Sequence, residues 1–207
     1  MEKGKRVRAF VADPGRLQEL LYPGARVFLA HADGRGRRTD YDLRLVESDG
    51  NLVSVDSRVP NKIVAKALKA GALEPLSDYR EIKSEPRTGA GRLDFMLTGK
   101  GLPPCYLEVK SCTLVRDRLA LFPDAPTARG TRHLKELTTL KKEGYRSAVL
   151  FVIQHPGASS FTPNKATDPE FSRALHKASR AGVEVYAYKC LVTLEAITLG
   201  PRVMVTI

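Results

Sequence analysis

Tryptophan is absent from the 207 residues, and Phe, Tyr and Trp together make up 7%. A surface built mainly on aromatic base stacking is therefore not expected. Cysteine is almost as scarce: Cys105, Cys112 and Cys190, an odd number with no CxxC pair. That argues against a disulfide framework and a zinc ribbon, and leaves core packing as the expected role. No apolar run reaches the length of a membrane span, and the N-terminus MEKGKRVRAF has no apolar signal core. These features indicate a soluble protein of the reducing cytoplasm with no membrane partner. The chain also lacks an internal repeat and any low-complexity segment.

What it does have is positive charge. Thirty-four Lys and Arg against 23 Asp and Glu give a formal net charge of +11, with 43% apolar residues as in an ordinary folded domain. A basic excess of this size fits a polyanionic partner, nucleic acid being the commonest. Up to Arg58 the balance is nearly even, so the excess lies downstream.

The first 58 residues read as short strands, VRAFVA, ARVFLA, YDLRLVE and NLVSVDS, broken by DPGR, HADGRGRR and SDGN. Strands this short and closely spaced suggest a small barrel or curled sheet. LQELL, Leu17–Leu21, reads as one helical turn among them. A helix is expected after Pro60, with Asn61 as its N-cap and Gly71 as its stop. Lys62, Lys66 and Lys69 then lie on a solvated face. Three strands follow, YREIKSE, GRLDFMLT and CYLEVKSCTL, and their short Gly/Pro connections favour an antiparallel meander. RDRLALFPDAPTARG and HPGASSFTPNKA read as loops. Helices are expected over Thr131–Glu143 and from Asp168 to Gly182, around a buried strand SAVLFVIQ, with one or two strands in VEVYAYKCLVTLEAIT. The sum is a mixed α/β sheet with helices packed on it.

Chemistry concentrates in RLDFMLTGKGLPPCYLEVK, Arg92–Lys110. Alternation along a strand puts Glu108 and Lys110 on one face and Leu107 and Val109 on the other; a hairpin brings Asp94 beside them. Two carboxylates and an ammonium suit a hard divalent ion such as Mg²⁺ or Mn²⁺ and the water it activates. Asp94, Glu108 and the Val109 carbonyl are the candidate ligands, and Lys110 the group that orients water or offsets charge. Glu85 could add a carboxylate, and Gln154 is a polar neighbour. An E-x-K triplet arises by chance about once in a chain this size. A cross-strand salt-bridge ladder explains the same residues as well as a site does. The basic stretch that follows, with Arg129, Arg132, His133 and Lys135 at the start of a helix, favours a phosphate ligand. A helical His is more often a surface or capping residue than a general acid.

PGARVFL at Pro23–Leu29, VPNKIVAKAL at Val59–Leu68, GRLDFML at Gly91–Leu97, CYLEVKSCTL at Cys105–Leu114, LFPDAPTARGTRHLKEL at Leu121–Leu137 and GVEVYAY at Gly182–Tyr188 together resemble the sugar fermentation stimulation protein A (SfsA) family. The resemblance spans nearly the whole chain. It implies an OB-like barrel over residues 1–58 and a PD-(D/E)xK nuclease-like domain over 59–207. It also implies DNA binding with little sequence preference. Asp94, Glu108 and Lys110 fall on the nuclease motif, and Glu85 on a family carboxylate. The chain departs from the pattern near its start: a CPN-T-G segment is replaced by VADPGRL, Val11–Leu17, with Asp13 and Pro14 in its polar turn and the first barrel strand shortened or missing. The resulting expectation is a metal-dependent endonuclease acting on double-stranded DNA, with Arg16, Arg92, Arg129, Arg132, His133 and Lys135 as nucleic-acid contacts and a homodimer by analogy with nucleases of this fold. The competing expectation is a non-catalytic DNA-binding regulator linked to sugar metabolism, with an idle site.

Overall fold

The structure is a computed structural model and describes residues 4, 6–13, 15–34, 36–89 and 91–207. Pro14, Arg35 and Ala90, which fall in turns expected from the sequence, lie outside the described residues.

The N-terminal unit is a four-stranded sheet of β1 (Ala9–Phe10), β2 (Val27–His31), β3 (Tyr41–Ser48) and β4 (Asn51–Ser54). The long β3 is shared by the other three: β2 and β4 pair with it antiparallel and β1 parallel. Its inward residues Leu43 and Val46 meet Leu17, Leu20, Val53 and Val55 in a small core. The Leu17–Leu21 turn is held by Leu20 and Leu21 N–H groups donating to the Leu17 carbonyl at 3.0 and 2.8 Å.

Beyond it come α1 (Val59–Lys69), β5 (Glu81–Ser84), β6 (Arg87–Thr88), β7 (Gly91–Arg92), β8 (Phe95–Thr98), β9 (Cys105–Cys112), β10 (Val115–Arg116) and β11 (Leu119–Phe122). They are followed by α2 (Ala128–Lys142), β12 (Arg146–Ile153), β13 (Ser160–Pro163), α3 (Pro169–Arg180), β14 (Glu184–Val192), β15 (Ile197–Arg202) and β16 (Met204–Val205). Six strands form the main sheet in the order β15-β14-β12-β9-β8-β5. The meander β5–β8–β9 is antiparallel, β9–β12–β14 is parallel, and β15 returns antiparallel.

Alternation along the strands divides two cores. Leu107, Val109, Ala148, Leu150 and Val152 face α1, with Val64 and Leu68. Val149, Phe151 and Ile153 face α2 and α3, with Leu134, Leu137, Phe171 and Leu175. All of β12 from Ser147 to Ile153 is buried, as its apolar run predicts. The three cysteines are buried in these cores and free of disulfides.

Three readings of the sequence are corrected. The two stretches taken as loops each contain a strand: β11 and β13 pair in parallel and, with β10 and β16, make a second sheet. Their partners lie some forty residues apart, and within each of these two strands a single residue, Ala120 or Phe161, is fully buried, so neither stretch shows a periodic signal of its own. Helix α2 begins three residues earlier than expected. Thr127 is its N-cap, its hydroxyl accepting from the Gly130 N–H at 3.0 Å. Gly130, which weakens the helical reading, is there because a Cβ would sit 2.8 Å from Thr127 and 3.1 Å from Phe171. Finally, Asn61 lies inside α1, whose N-cap position is Arg58, and its side chain serves another residue.

Candidate functional site

A cleft of about 570 Å³ opens where the N-terminal unit meets β9 and the start of α2. Asp94, Glu108, Val109 and Lys110 form one wall, Asn61 and Ser57 another, and Thr127–Gly130 the third. The start of α2 is fixed there by Asp168, the N-cap of α3. One of its oxygens accepts from the Phe171 N–H at 2.9 Å and the other from the Thr127 N–H at 2.8 Å.

Asp94 sits at the bend just before β8 rather than within a strand. The register pairs Phe95 with Leu107, which brings Asp94 opposite Glu108. Its two oxygens are held separately: Oδ2 accepts from the Val109 N–H and Oδ1 from the Asn61 amide, both at 2.7 Å. Burial, and then the charge of Glu108, raise its carboxyl above the ordinary value. Glu108 is 3% exposed. Its Oε1 accepts from Lys110 Nζ at 2.5 Å and from His133 Nδ1. Burial opposes its charge, but the His133 bond and the Lys110 ammonium outweigh it and hold this carboxyl below the ordinary value. Neighbouring carboxyls with opposed shifts are an arrangement met at working sites.

Glu108 Oε2 is buried and has no hydrogen-bond partner among the described residues. A buried carboxylate oxygen without a donor is costly, and a bound cation is one way to satisfy it. The hard oxygens of Asp94 and Glu108 fit Mg²⁺ or Mn²⁺ in kind. Among the described residues no group of three or more His, Cys, Asp or Glu side chains stands ready to hold a metal. Two carboxylates are thus the side-chain supply, and further ligands would have to be backbone carbonyl, water or substrate oxygens.

The other expected residues divide. Arg129 lines the cleft, and its Nε donates to His133 Nε2 at 3.5 Å. His133 is not a surface group: it is 5% exposed and touches Glu108 and Lys110 from within. Arg132 and Lys135 are exposed on α2, Lys135 lying 3.6 Å from Glu170. Arg16 is exposed beyond the cleft, its backbone N–H donating to Asp124 at 2.9 Å. Glu85 is not brought to the cleft: its side chain is 73% exposed, 3.4 Å from Arg92. Gln154 is buried at the seam between the two units, bonded to Ser111 and Ser54, and not in the cleft. Lys62, Lys66 and Lys69 are exposed, as a solvated face requires. Sequence reading missed Asn61 as the partner of Asp94, because its position before an apolar run reads as a cap. It also missed Asp13 and Asp124, which line the cleft from two different segments with no shared spacing.

The model of the sugar fermentation stimulation protein RE domain matches residues 58–196, and that of the SfsA N-terminal OB domain matches residues 1–55. The chain belongs to the SfsA family. The sugar fermentation stimulation protein homolog of Moorella thermoacetica is 54% identical over 98% of this chain and 88% of its own length. That of Chloroflexus aurantiacus is 48% identical over 98% and 78%. The structure of Pyrococcus furiosus SfsA in complex with Ca²⁺ superposes with a TM-score of 0.91 at 33% identity, covering 99% of this chain and 88% of that one. The family's two domains, an OB domain followed by an RE domain, are those of this chain, the second built on the mixed α/β sheet. Among the described residues no helix is long and apolar enough to cross a membrane.

Proposed function

We propose that this chain binds duplex DNA with little sequence preference and hydrolyses phosphodiester bonds with a divalent metal at the Asp94–Glu108–Lys110 cleft. The observation that carries the reading is Glu108 Oε2, a buried carboxylate oxygen with no donor, beside a second carboxylate and an ammonium in an open cleft. The Ca²⁺ in the Pyrococcus furiosus relative supports a divalent cation.

Asp94, Glu108 and the Val109 carbonyl would hold Mg²⁺ or Mn²⁺. Such an ion polarises a phosphoryl oxygen and lowers the pKa of water. The chain's own part is placement. The Val109 N–H and Asn61 fix the Asp94 carboxylate in one orientation, and Lys110 and His133 fix Glu108. Lys110 is the cation nearest the carboxylates and offsets negative charge gained at the phosphoryl group in the transition state. Arg129 and the positive end of α2 hold a neighbouring phosphate, while Arg16, Arg92, Arg132 and Lys135 extend the basic surface.

The close Lys110–Glu108 pair favours a second reading: a DNA-binding regulator in which this ion pair has replaced catalysis. The experiment is supercoiled plasmid incubated with wild type and Asp94→Ala in Mg²⁺, Mn²⁺ or EDTA. Metal-dependent nicking that disappears in Asp94→Ala is the expected result. Tight binding by clean wild-type protein with no cutting in either metal would reject the nuclease and leave the regulator.

A further inference from the structure

His133 approaches the cleft from inside α2, among Leu134, Leu137 and Thr131, all buried. Its two ring nitrogens have different partners. A guanidinium can only donate, so the contact from Arg129 Nε makes Nε2 the accepting nitrogen. The Glu108 carboxylate can only accept, so Nδ1, the nitrogen in closest contact with its Oε1, carries the ring proton, and the approach of Lys110 Nζ to Nδ1 is a contact between two donors to the same oxygen. Arg129 and His133 are one helical turn apart, which lets one residue set the tautomer of the other. Lys110 Nζ reaches the same Oε1 at 2.5 Å and lies 3.1 Å from His133 Nδ1. Two donors therefore converge on one oxygen of Glu108, and the other, Oε2, has none.

We infer that His133 is a positioning residue for the metal centre. With Lys110 it clamps Oε1, fixes the Glu108 carboxylate, and keeps Oε2 as the oxygen free for a divalent cation, while Arg129 holds the imidazole in the tautomer this needs. The inference rests on the metal-dependent reading above. It also assigns Lys110 and His133 different work on the same oxygen: Lys110 can leave Oε1 for the reacting phosphate without releasing Glu108, because the buried imidazole stays.

The test is calorimetric titration of the full chain with Mn²⁺ alone, free of DNA, for wild type, His133→Ala, His133→Gln and His133→Asn. Loss of an outer partner of a metal ligand typically weakens metal binding about 10- to 100-fold, and that is the expected loss for Ala and Gln. Asn presents its donor where Nδ1–H lies and is expected to return affinity to within a few-fold of wild type; Gln presents it where Nε2 lies and is not. Melting temperatures in EDTA separate this from folding. A residue that only fills space would show stability changes without the Asn-over-Gln rescue. Should His133→Ala not fold, the Gln and Asn pair carries the same comparison. Wild-type affinity retained in His133→Gln, or Asn no better than Gln, overturns the inference while leaving the metal site standing. A wild type that binds no Mn²⁺ overturns both.

Discussion

Replacing Gln154 by Leu tests how the two units are joined behind the cleft. Gln154 is fully buried at the end of β12. Its Oε1 accepts from the Ser54 hydroxyl at 2.7 Å, and its Nε2 donates to Ser111 Oγ at 3.0 Å. Ser54 ends β4 of the N-terminal sheet and is itself fully buried, so no water can replace the lost acceptor. Leucine keeps the volume and removes both bonds. A lost hydrogen bond costs about 1 kcal/mol, and a buried hydroxyl left unpaired costs about 1–3 kcal/mol. The backbone bond from Ser54 N–H to the Gln154 carbonyl, at 3.1 Å, survives. The expected net loss is about 2–4 kcal/mol, which at a urea m-value of roughly 2 kcal/mol/M lowers the unfolding midpoint by about 1–2 M. The double variant Ser54→Ala/Gln154→Leu removes the stranded hydroxyl and is expected to recover part of that loss, a non-additivity of about 1 kcal/mol. Urea titrations of wild type, Ser54→Ala, Gln154→Leu and the double variant, at unchanged m, make the comparison. A midpoint shift under about 0.2 M for Gln154→Leu, or strict additivity in the double variant, would refute the claim that this buried bond ties the units together.

Two further outcomes follow from the charges. If Arg129 in the cleft and the exposed Arg16, Arg92, Arg132 and Lys135 outside it make the proposed phosphate contacts, the expected slope of log K against log salt is about −4.5 for duplex binding, shallower by about 0.9 for each Ala replacement. Arg92 and Lys135 rest on Glu85 and Glu170 at 3.4 and 3.6 Å, exposed pairs weak enough for phosphate to displace; fluorescence anisotropy across salt measures the slope, and a flat response would contradict phosphate-led binding. Burial opposes the charge of Glu184, but Arg146, bonded at 2.7 and 2.8 Å, and the Tyr186 hydroxyl outweigh it and hold its carboxyl below the ordinary 4.5. A depressed folded value means that this stabilisation is complete above about pH 4.5 and is lost as pH falls through the folded value; unfolding midpoints from pH 6 to 3 are expected to converge for wild type and Glu184→Gln at the acid end, and a constant gap would refute it.

The main sheet was legible because its signals are local. The β5–β8–β9 meander is announced by Gly/Pro turns, and β12 by its unbroken apolar run. Glu108 and Lys110 could be placed on one face by strand period alone. Asp94 could be placed beside them by a hairpin, although it lies at the bend before β8. The unread parts depend on contacts distant in sequence. β11 and β13 are short and become strands by pairing with each other. Asn61 looks like a cap until Asp94 folds against it. His133 reads as a surface group until β9 places Glu108 beneath it. Glu85 is the reverse case: its place at the end of the preceding strand suggests membership of the site, but the chain turns at Glu85 with φ +50° and its side chain leaves toward Arg92.

Anomalous diffraction from crystals soaked in Mn²⁺ shows whether Asp94 and the unpaired oxygen of Glu108 make a metal centre. A peak in bonding contact with Asp94 and Glu108 Oε2, absent in Asp94→Ala, is the expected result. No peak there at saturating Mn²⁺, with Lys110 and His133 still closed on Glu108, would contradict it.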